Sequence, residues 1–179
     1  ALGWDQQPGE SPDDTMLRAT ILGTMLYGED PAVIAEARRR YAAESLDEMD
    51  AELRDIILMA EVRHGDTPAV IKHLLAEYRQ SSSVDIKNDI CDAVTSTRDT
   101  NELKALLALL KDTSFIRTQD TAMWFVRLLM NRHSRDMTWQ WLQTEWEWVT
   151  KVFGGDKSYD AFPRYSAQVL ADRKQLLEY

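Results

Sequence analysis

GEDPAVI at residues 28–34 returns almost unchanged as GDTPAVI at residues 65–71, with the two glycines 37 positions apart. The match outlasts the heptapeptide: Gly28 aligns with Gly65, Pro31 with Pro68, Val33 with Val70, Ile34 with Ile71, Tyr41 with Tyr78 and Ser45 with Ser82. Each copy carries the chemistry of a helix boundary. A glycine ends one helix in a left-handed conformation, an Asp or Thr caps the next, and a proline takes the first helical position, where its missing N–H has no partner to lose. Behind each proline an apolar stripe recurs at helical spacing: Val33, Ile34, Ala37 and Tyr41 in the first copy, Val70, Ile71, Leu74, Leu75 and Tyr78 in the second. The repeat therefore reads as one structural device used twice, a hinge between helices that sets the curvature of a stack.

The flanking segments extend the pattern. Ser11 and Pro12 open a helix through about Tyr27, Asp50 caps one carrying Leu53, Ile56, Ile57 and Ala60, and Ser83 precedes one carrying Ile86, Ile90 and Val94. Asp99 or Thr100 starts a helix with Leu103, Leu106, Leu107 and Leu110; another covers about Gln119 to Asn131. Ser134 opens a Trp-rich helix ending near Phe153, and a last helix is expected over Ala167 to Glu178. Starts near 12, 31, 51, 67, 84, 100, 118 and 135 are separated by one helix and a short turn, the spacing of antiparallel hairpins. The sequence thus predicts an all-α fold of eight to nine helices, an α-α superhelix of the HEAT or armadillo kind. Repeats of roughly 33 to 47 residues belong to that class, whose units bury their apolar faces only by stacking. Residues 1–179 are expected to form a single α-solenoid domain.

A formal charge of −9 opposes nucleic acid or an anionic membrane as partner, because a phosphate-binding face needs surplus Lys and Arg. Cys91 is the only cysteine, which excludes a disulfide framework or a thiolate zinc site within one chain and fits a reducing compartment. No apolar run reaches the ~18 residues of a membrane span, and the expected location is cytoplasmic. The opening ALGWDQQ is neither a signal peptide nor a methionine start, so the chain reads as a piece of something longer.

Catalytic chemistry is sparse. His64, His73 and His133 lack H-E-x-x-H spacing, and no metal site is assigned. FGGDKS at 153–158 has Asp156 between Gly155 and Lys157 and no glycine-rich loop upstream, so it reads as a helix stop rather than a phosphate cradle. No G-x-S-x-G elbow occurs, and Cys91 falls among apolar positions of an amphipathic helix, where burial is the ordinary outcome. The stretch TWQWLQTEWEWV, residues 138–149, is the most unusual composition in the chain. On a helix Trp139, Leu142, Trp146, Val149 and Phe153 share a core-facing stripe, while Trp141 and Trp148 lie seven apart on another face. That second pair either packs against a second neighbour or forms an aromatic ledge for a peptide or another domain; periodicity does not separate the two.

Four ordered stretches carry a family resemblance: LGWDQQPGESPDDTMLRATIL (2–22), IRTQD (116–120), NRHSRDMTWQWLQTEWEWV (131–149) and FGGDKSYDAFPRYSA (153–167). Together they resemble the C-terminal helical domain of the aminopeptidase N family of zinc metallopeptidases, the soluble bacterial members above all. Gly3, Trp4, Gly9, Glu10, Arg18, Gln119, Asp120, Trp139, Trp146 and Trp148 fall at matching places. The resemblance implies a HEAT-like superhelix, in agreement with the repeat, and implies that residues 1–179 are the later part of the C-terminal domain of a larger enzyme.

It also implies a parent enzyme that removes N-terminal residues from peptides by metal-assisted hydrolysis. In that family zinc is held in the catalytic domain by an H-E-x-x-H helix and a later Glu, the motif's own Glu is the general base, and a G-x-M-E-N segment holds the substrate amine. The present sequence contains none of these. The chain is accordingly expected to be a non-catalytic domain, with no catalytic residue, no cofactor of its own, and the catalytic domain of the same polypeptide and peptide substrates as partners. The family domain closes over the active-site chamber, so Arg117, Gln119 and Arg132, placed near helix starts and ends, are the candidates to face a peptide's distal part or terminal carboxylate. The competing expectation is a free-standing helical-repeat scaffold for protein partners. An upstream H-E-x-x-H segment in the full reading frame separates the two.

Overall fold

Ser or Asp side chains cap four of the described helices, and a proline stands at the start of three. The protein, in a computed structural model, is described over residues 3–155 and 158–170. Its chain divides into two compact units, Ala1–Thr97 and Arg98–Tyr179. Among the described residues there are ten α-helices and one short 3-10 turn, with no strand.

The first unit contains α1 (Pro12–Tyr27), α2 (Pro31–Ala43), α3 (Arg54–His64), α4 (Thr67–Gln80) and α5 (Val84–Thr95). Ser11 caps α1 by accepting from the Asp14 N–H at 3.1 Å, and Ser83 caps α5 by accepting from the Ile86 N–H at 3.3 Å. Each helix packs on its sequence neighbour, and α3 packs also on α1 and α5, one hairpin removed. This is the pairing that stacked hairpins produce. α3 is the centre of the unit: Ile56, Ile57, Leu58, Ala60 and Val62 are all buried. It begins at Arg54, with Leu53 in the cap position, rather than at Asp50; Asp50 instead closes a turn, accepting from the Glu52 N–H at 2.9 Å.

The two copies of the repeat do start helices, yet neither glycine is left-handed. Gly28 has φ −75° and Gly65 φ −93°. In the first copy Glu29 takes the positive φ of 60°. The reason is a shared residue. Asp30 donates its N–H to Met25 O at 3.0 Å, closing the end of α1, while its Oδ1 accepts from the Ala32 and Val33 N–H groups at 2.9 and 3.0 Å, opening α2. Glu29, whose N–H meets Leu26 O at 3.0 Å, must make the left-handed turn between these two jobs. In the second copy Gly65 is needed for close approach: a Cβ there would lie 2.7 Å from the Glu61 carbonyl oxygen. Its helix starts one residue earlier in the aligned register, at Thr67, whose hydroxyl donates back to Val62 O at 2.9 Å.

Ahead of α1, residues 3–10 form a loop with Gly3 and Gly9 at φ 67° and 81°. Arg18 of α1 fastens it, donating to Gly3 O at 3.2 Å and pairing with Glu10 in a buried ion pair. Arg40 of α2 holds Asp5 at 2.6 Å and stacks over the Trp4 ring. The Gly3, Trp4, Gly9, Glu10 and Arg18 set singled out in the sequence is therefore a structural clasp.

The second unit contains α6 (Thr100–Leu109), α7 (Thr118–Met130), α8 (Arg135–Thr144), α9 (Trp146–Phe153), the 3-10 turn Ser158–Asp160 and α10 (Ala161–Val169). Asp99 caps α6 through the Asn101 and Glu102 N–H groups at 2.8 and 3.1 Å. The Trp-rich helix is interrupted at Glu145 (φ −101°, ψ 13°), and this split takes the helix count above the expected nine. Lys111 holds the Glu145 carboxylate at 2.6 Å, a tertiary anchor that no local periodicity reveals. Beyond the break the stripe changes course: Trp139, Leu142, Val149 and Phe153 are buried as expected, but Trp146 is 38% exposed. The last helix among the described residues covers Ala161–Val169, and residues 171–178 of the one expected over Ala167 to Glu178 lie outside the described residues.

Candidate functional site

In the second unit five aromatic side chains gather beside the aliphatic core. Phe125 of α7, Trp141 of α8, Trp148 and Phe153 of α9 and Phe162 of α10 form a closed circuit. Centroid separations are 6.1 Å (Phe125–Trp141), 6.1 Å (Trp141–Trp148), 6.0 Å (Trp148–Phe153), 5.1 Å (Phe153–Phe162) and 5.0 Å (Phe162–Phe125). Trp141 and Trp148 meet edge to face at 72°, the arrangement their quadrupoles favour, and both remain half-buried. Lys111 Nζ stands 6.0 Å from the Trp148 centroid. Each indole so takes part in packing while part of its surface stays accessible.

Beside this circuit an open groove of 720 Å³ lies between the start of α7 and the end of α9. Gln119 and Ala122 supply one wall, Val152 and Phe153 the opposite one, and Ser158 and Ala161 the end. An apolar trough with a few polar groups along its edge suits an extended peptide segment or a small apolar side chain.

The three sequence-derived candidates do not converge. Gln119 is exposed and lines the groove. Arg117 stands just before it, half exposed, with its Nε 2.6 Å from Asp120 Oδ2. Arg132 follows the other end of α7, where its Nε donates to His133 Nε2 at 3.2 Å. A helix of 13 residues is about 20 Å long, so Arg132 and Arg117 serve different places on the surface. Sequence reasoning missed the apolar wall: Phe153 reads as the end of the core-facing stripe and Val152 is not singled out, and it is the packing of α10 on α7, with the Phe153–Phe162 contact, that places this end of α9 beside Gln119.

Among the described residues no group of three or more His, Cys, Asp or Glu side chains is placed to hold a metal ion. No described helix is long and apolar enough to cross a membrane.

Comparison with known proteins places this architecture. The chain is 29% identical over 180 residues to aminopeptidase N of Lactobacillus helveticus, covering 99% of the chain and 21% of that protein. It is 32% identical to aminopeptidase N of Lactococcus lactis subsp. lactis (strain IL1403), with the same coverage of 99% and 21%. Glutamyl aminopeptidase of Mus musculus is 25% identical over 154 residues, 85% of the chain and 16% of that protein. The chain thus spans about a fifth of the length of the curated bacterial relatives it matches. A model of the ERAP1-like C-terminal domain matches residues 1–179 from end to end, and the chain belongs to that family.

Proposed function

We propose that the chain is the non-catalytic C-terminal domain of a zinc-dependent, cytoplasmic aminopeptidase. There it caps the active-site chamber and helps admit and position peptides whose N-terminal residues the parent enzyme removes. The observation that carries this reading is the end-to-end family match in relatives that are themselves aminopeptidases and of which this chain is one fifth. In this reading zinc and the bond-breaking groups belong to the catalytic domain of the same polypeptide. The chain's own part is steric and electrostatic. Its groove offers an apolar trough edged by Gln119, and Arg117 supplies a guanidinium for a carboxylate on the distal part of a peptide.

The test uses the full parent enzyme and two substrate lengths. R117A and Q119A are expected to raise KM for peptides of about ten residues while leaving single aminoacyl-anilides unchanged. Because Arg117 is half exposed, the contact is worth at most ~1 kcal/mol, or roughly fivefold in KM. Equal effects on both substrates, or none on the long peptides, would defeat the positioning role. A parent reading frame without a zinc-peptidase segment would defeat the assignment itself and leave the free-standing scaffold.

A further inference from the structure

Beyond its first turn, which carries Asp13, the outward side of α1 has no charge on it. Between Met16 and Tyr27 the exposed residues are Met16, Leu17, Ile21, Met25 and Tyr27, with Thr20 and Thr24 between them. Both threonine hydroxyls are already used: Thr20 Oγ1 donates to Met16 O at 3.0 Å and Thr24 Oγ1 to Thr20 O at 2.8 Å. What they present outward is methyl groups. The inward side is occupied in the usual way, with Leu22 and Leu26 buried and α2 and α3 packed on the helix. α1 is thus apolar around most of its circumference, the signature of a helix covered on both sides.

Other helices of the same unit show what a solvated face looks like here. α4 exposes Lys72, His73 and Arg79, and α2 exposes Arg38 and Arg39. Of the nine large apolar side chains exposed among the described residues, five are on α1. A terminal layer of a helical stack needs a polar outer face to stay soluble, and α1 does not have one.

We infer that the outer face of α1 is buried in the parent polypeptide against the aliphatic side of a helix from the part of that polypeptide outside these 179 residues. The inference rests on the aminopeptidase-domain reading above, under which about four fifths of the parent's length is available to supply that helix. A second copy of the chain is the weaker occupant. At 16 residues, α1 is about 24 Å long and about 10 Å wide, a footprint of about 250 Å². A stable dimer needs about 800 Å² per partner. An intramolecular neighbour repays no translational entropy, so the small face suffices. The net charge of −9 also disfavours self-association.

The experiment is thiol footprinting of the full parent polypeptide. M16C and I21C are compared with K72C on the solvated face of α4, each pulsed with iodoacetamide and read at its own peptide by mass spectrometry. Met16 and Ile21 are expected to be modified at least tenfold more slowly than position 72 in the native protein, and at equal rates in urea. Native rates within twofold of K72C at both positions overturn the inference. So does protection that disappears on dilution, which identifies a second copy as the cover. Peptidase activity measured on the same samples keeps the two readings apart: an active enzyme with a freely labelled α1 sinks this inference alone, and an inactive protein with a protected α1 sinks the aminopeptidase reading alone.

Discussion

Arg54 Nη1 donates to Asp89 Oδ2 across 2.9 Å and so ties α3 to α5 inside the first unit. The same guanidinium donates from Nε to Leu46 O at 2.8 Å and from Nη2 to Met49 O at 3.3 Å, so one side chain satisfies three acceptors. Burial pushes the Asp89 carboxyl above the usual range, against the pull of Arg54. R54A removes all three bonds and leaves a carboxylate without its counter-charge. The expected loss is about 3 kcal/mol in urea denaturation. Because the folded pKa of Asp89 is raised, and rises further without Arg54, the folded state binds the extra proton and stability falls as pH rises through that window. The R54A deficit is therefore expected to be larger at pH 7 than at pH 4, and the added D89N change to recover part of it at pH 7. A deficit independent of pH contradicts this account.

The two copies of the repeat respond oppositely to the same substitution. At Gly28 a Cβ meets only ordinary contacts at 3.5 Å, so G28A is expected to be neutral or to stabilise by up to ~1 kcal/mol through the unfolded chain. At Gly65 the Cβ would sit 2.7 Å from the Glu61 carbonyl, and G65A is expected to cost ~1–3 kcal/mol. E29G relieves a non-glycine residue of its positive φ and is expected to gain ~1 kcal/mol. Thermal melts of the three variants check the ranking E29G, G28A, G65A from most to least stable.

That asymmetry shows where sequence reading reaches and where it stops. Ser11, Asp30, Ser83 and Asp99 were legible as caps because capping is a contact of two or three residues' reach. The same reach finds the apolar stripes of α4 and α5. The left-handed residue was misplaced by one because Asp30 serves two helices at once, a constraint that neither helix reveals alone. The interruption at Glu145 is not written in the apolar spacing, which runs through it, and the contact its carboxylate makes with Lys111, 34 residues away, lies beyond the reach of local periodicity. Of the groove's lining, Gln119 stood out in sequence only by its place at a helix start, whereas Val152 was not singled out and Phe153 read as core; their placement beside Gln119 comes from tertiary packing. Arg132 looked equivalent to Arg117 in sequence and is separated from it by the length of α7.

Glu36 gives the pH dependence of the first unit's surface. The Arg39 guanidinium, hydrogen-bonded to it at 2.7 and 2.8 Å, is the main cause that holds its carboxyl at about 2 instead of 4.5; Arg40, at 2.9 Å, adds to the effect, and partial burial opposes it. A depressed folded pKa stabilises above the ordinary value, and that contribution is lost as pH falls from 4.5 through about 2. E36Q is expected to melt below the unsubstituted protein at pH 6, with the difference shrinking below pH 4.5 and gone near pH 2. Arg39 is largely exposed, so raising the salt to 1 M should also reduce the gap. A constant gap across pH assigns the loss to packing instead.

The aromatic circuit decides what Trp141 and Trp148 contribute. Phe162 is fully buried between Phe125 and Phe153, and F162A is expected to cost ~3–5 kcal/mol, as large-to-small changes in a dry core do. Trp148 is half-buried and touches Trp141 and Phe153 edge-on, so W148A is expected to cost less than F162A. If the two indoles act as a packing pair, a W141A/W148A double-mutant cycle yields a coupling of ~0.5–1.5 kcal/mol in urea denaturation. In the parent enzyme the KM for long peptides then stays unchanged in W148F, which keeps an aromatic ring at that position. If they form a ledge for peptide, the coupling falls toward zero and W148F raises that KM while its melting temperature holds. The measured pair of numbers, coupling energy and KM ratio, places the indoles in the core or on the substrate path.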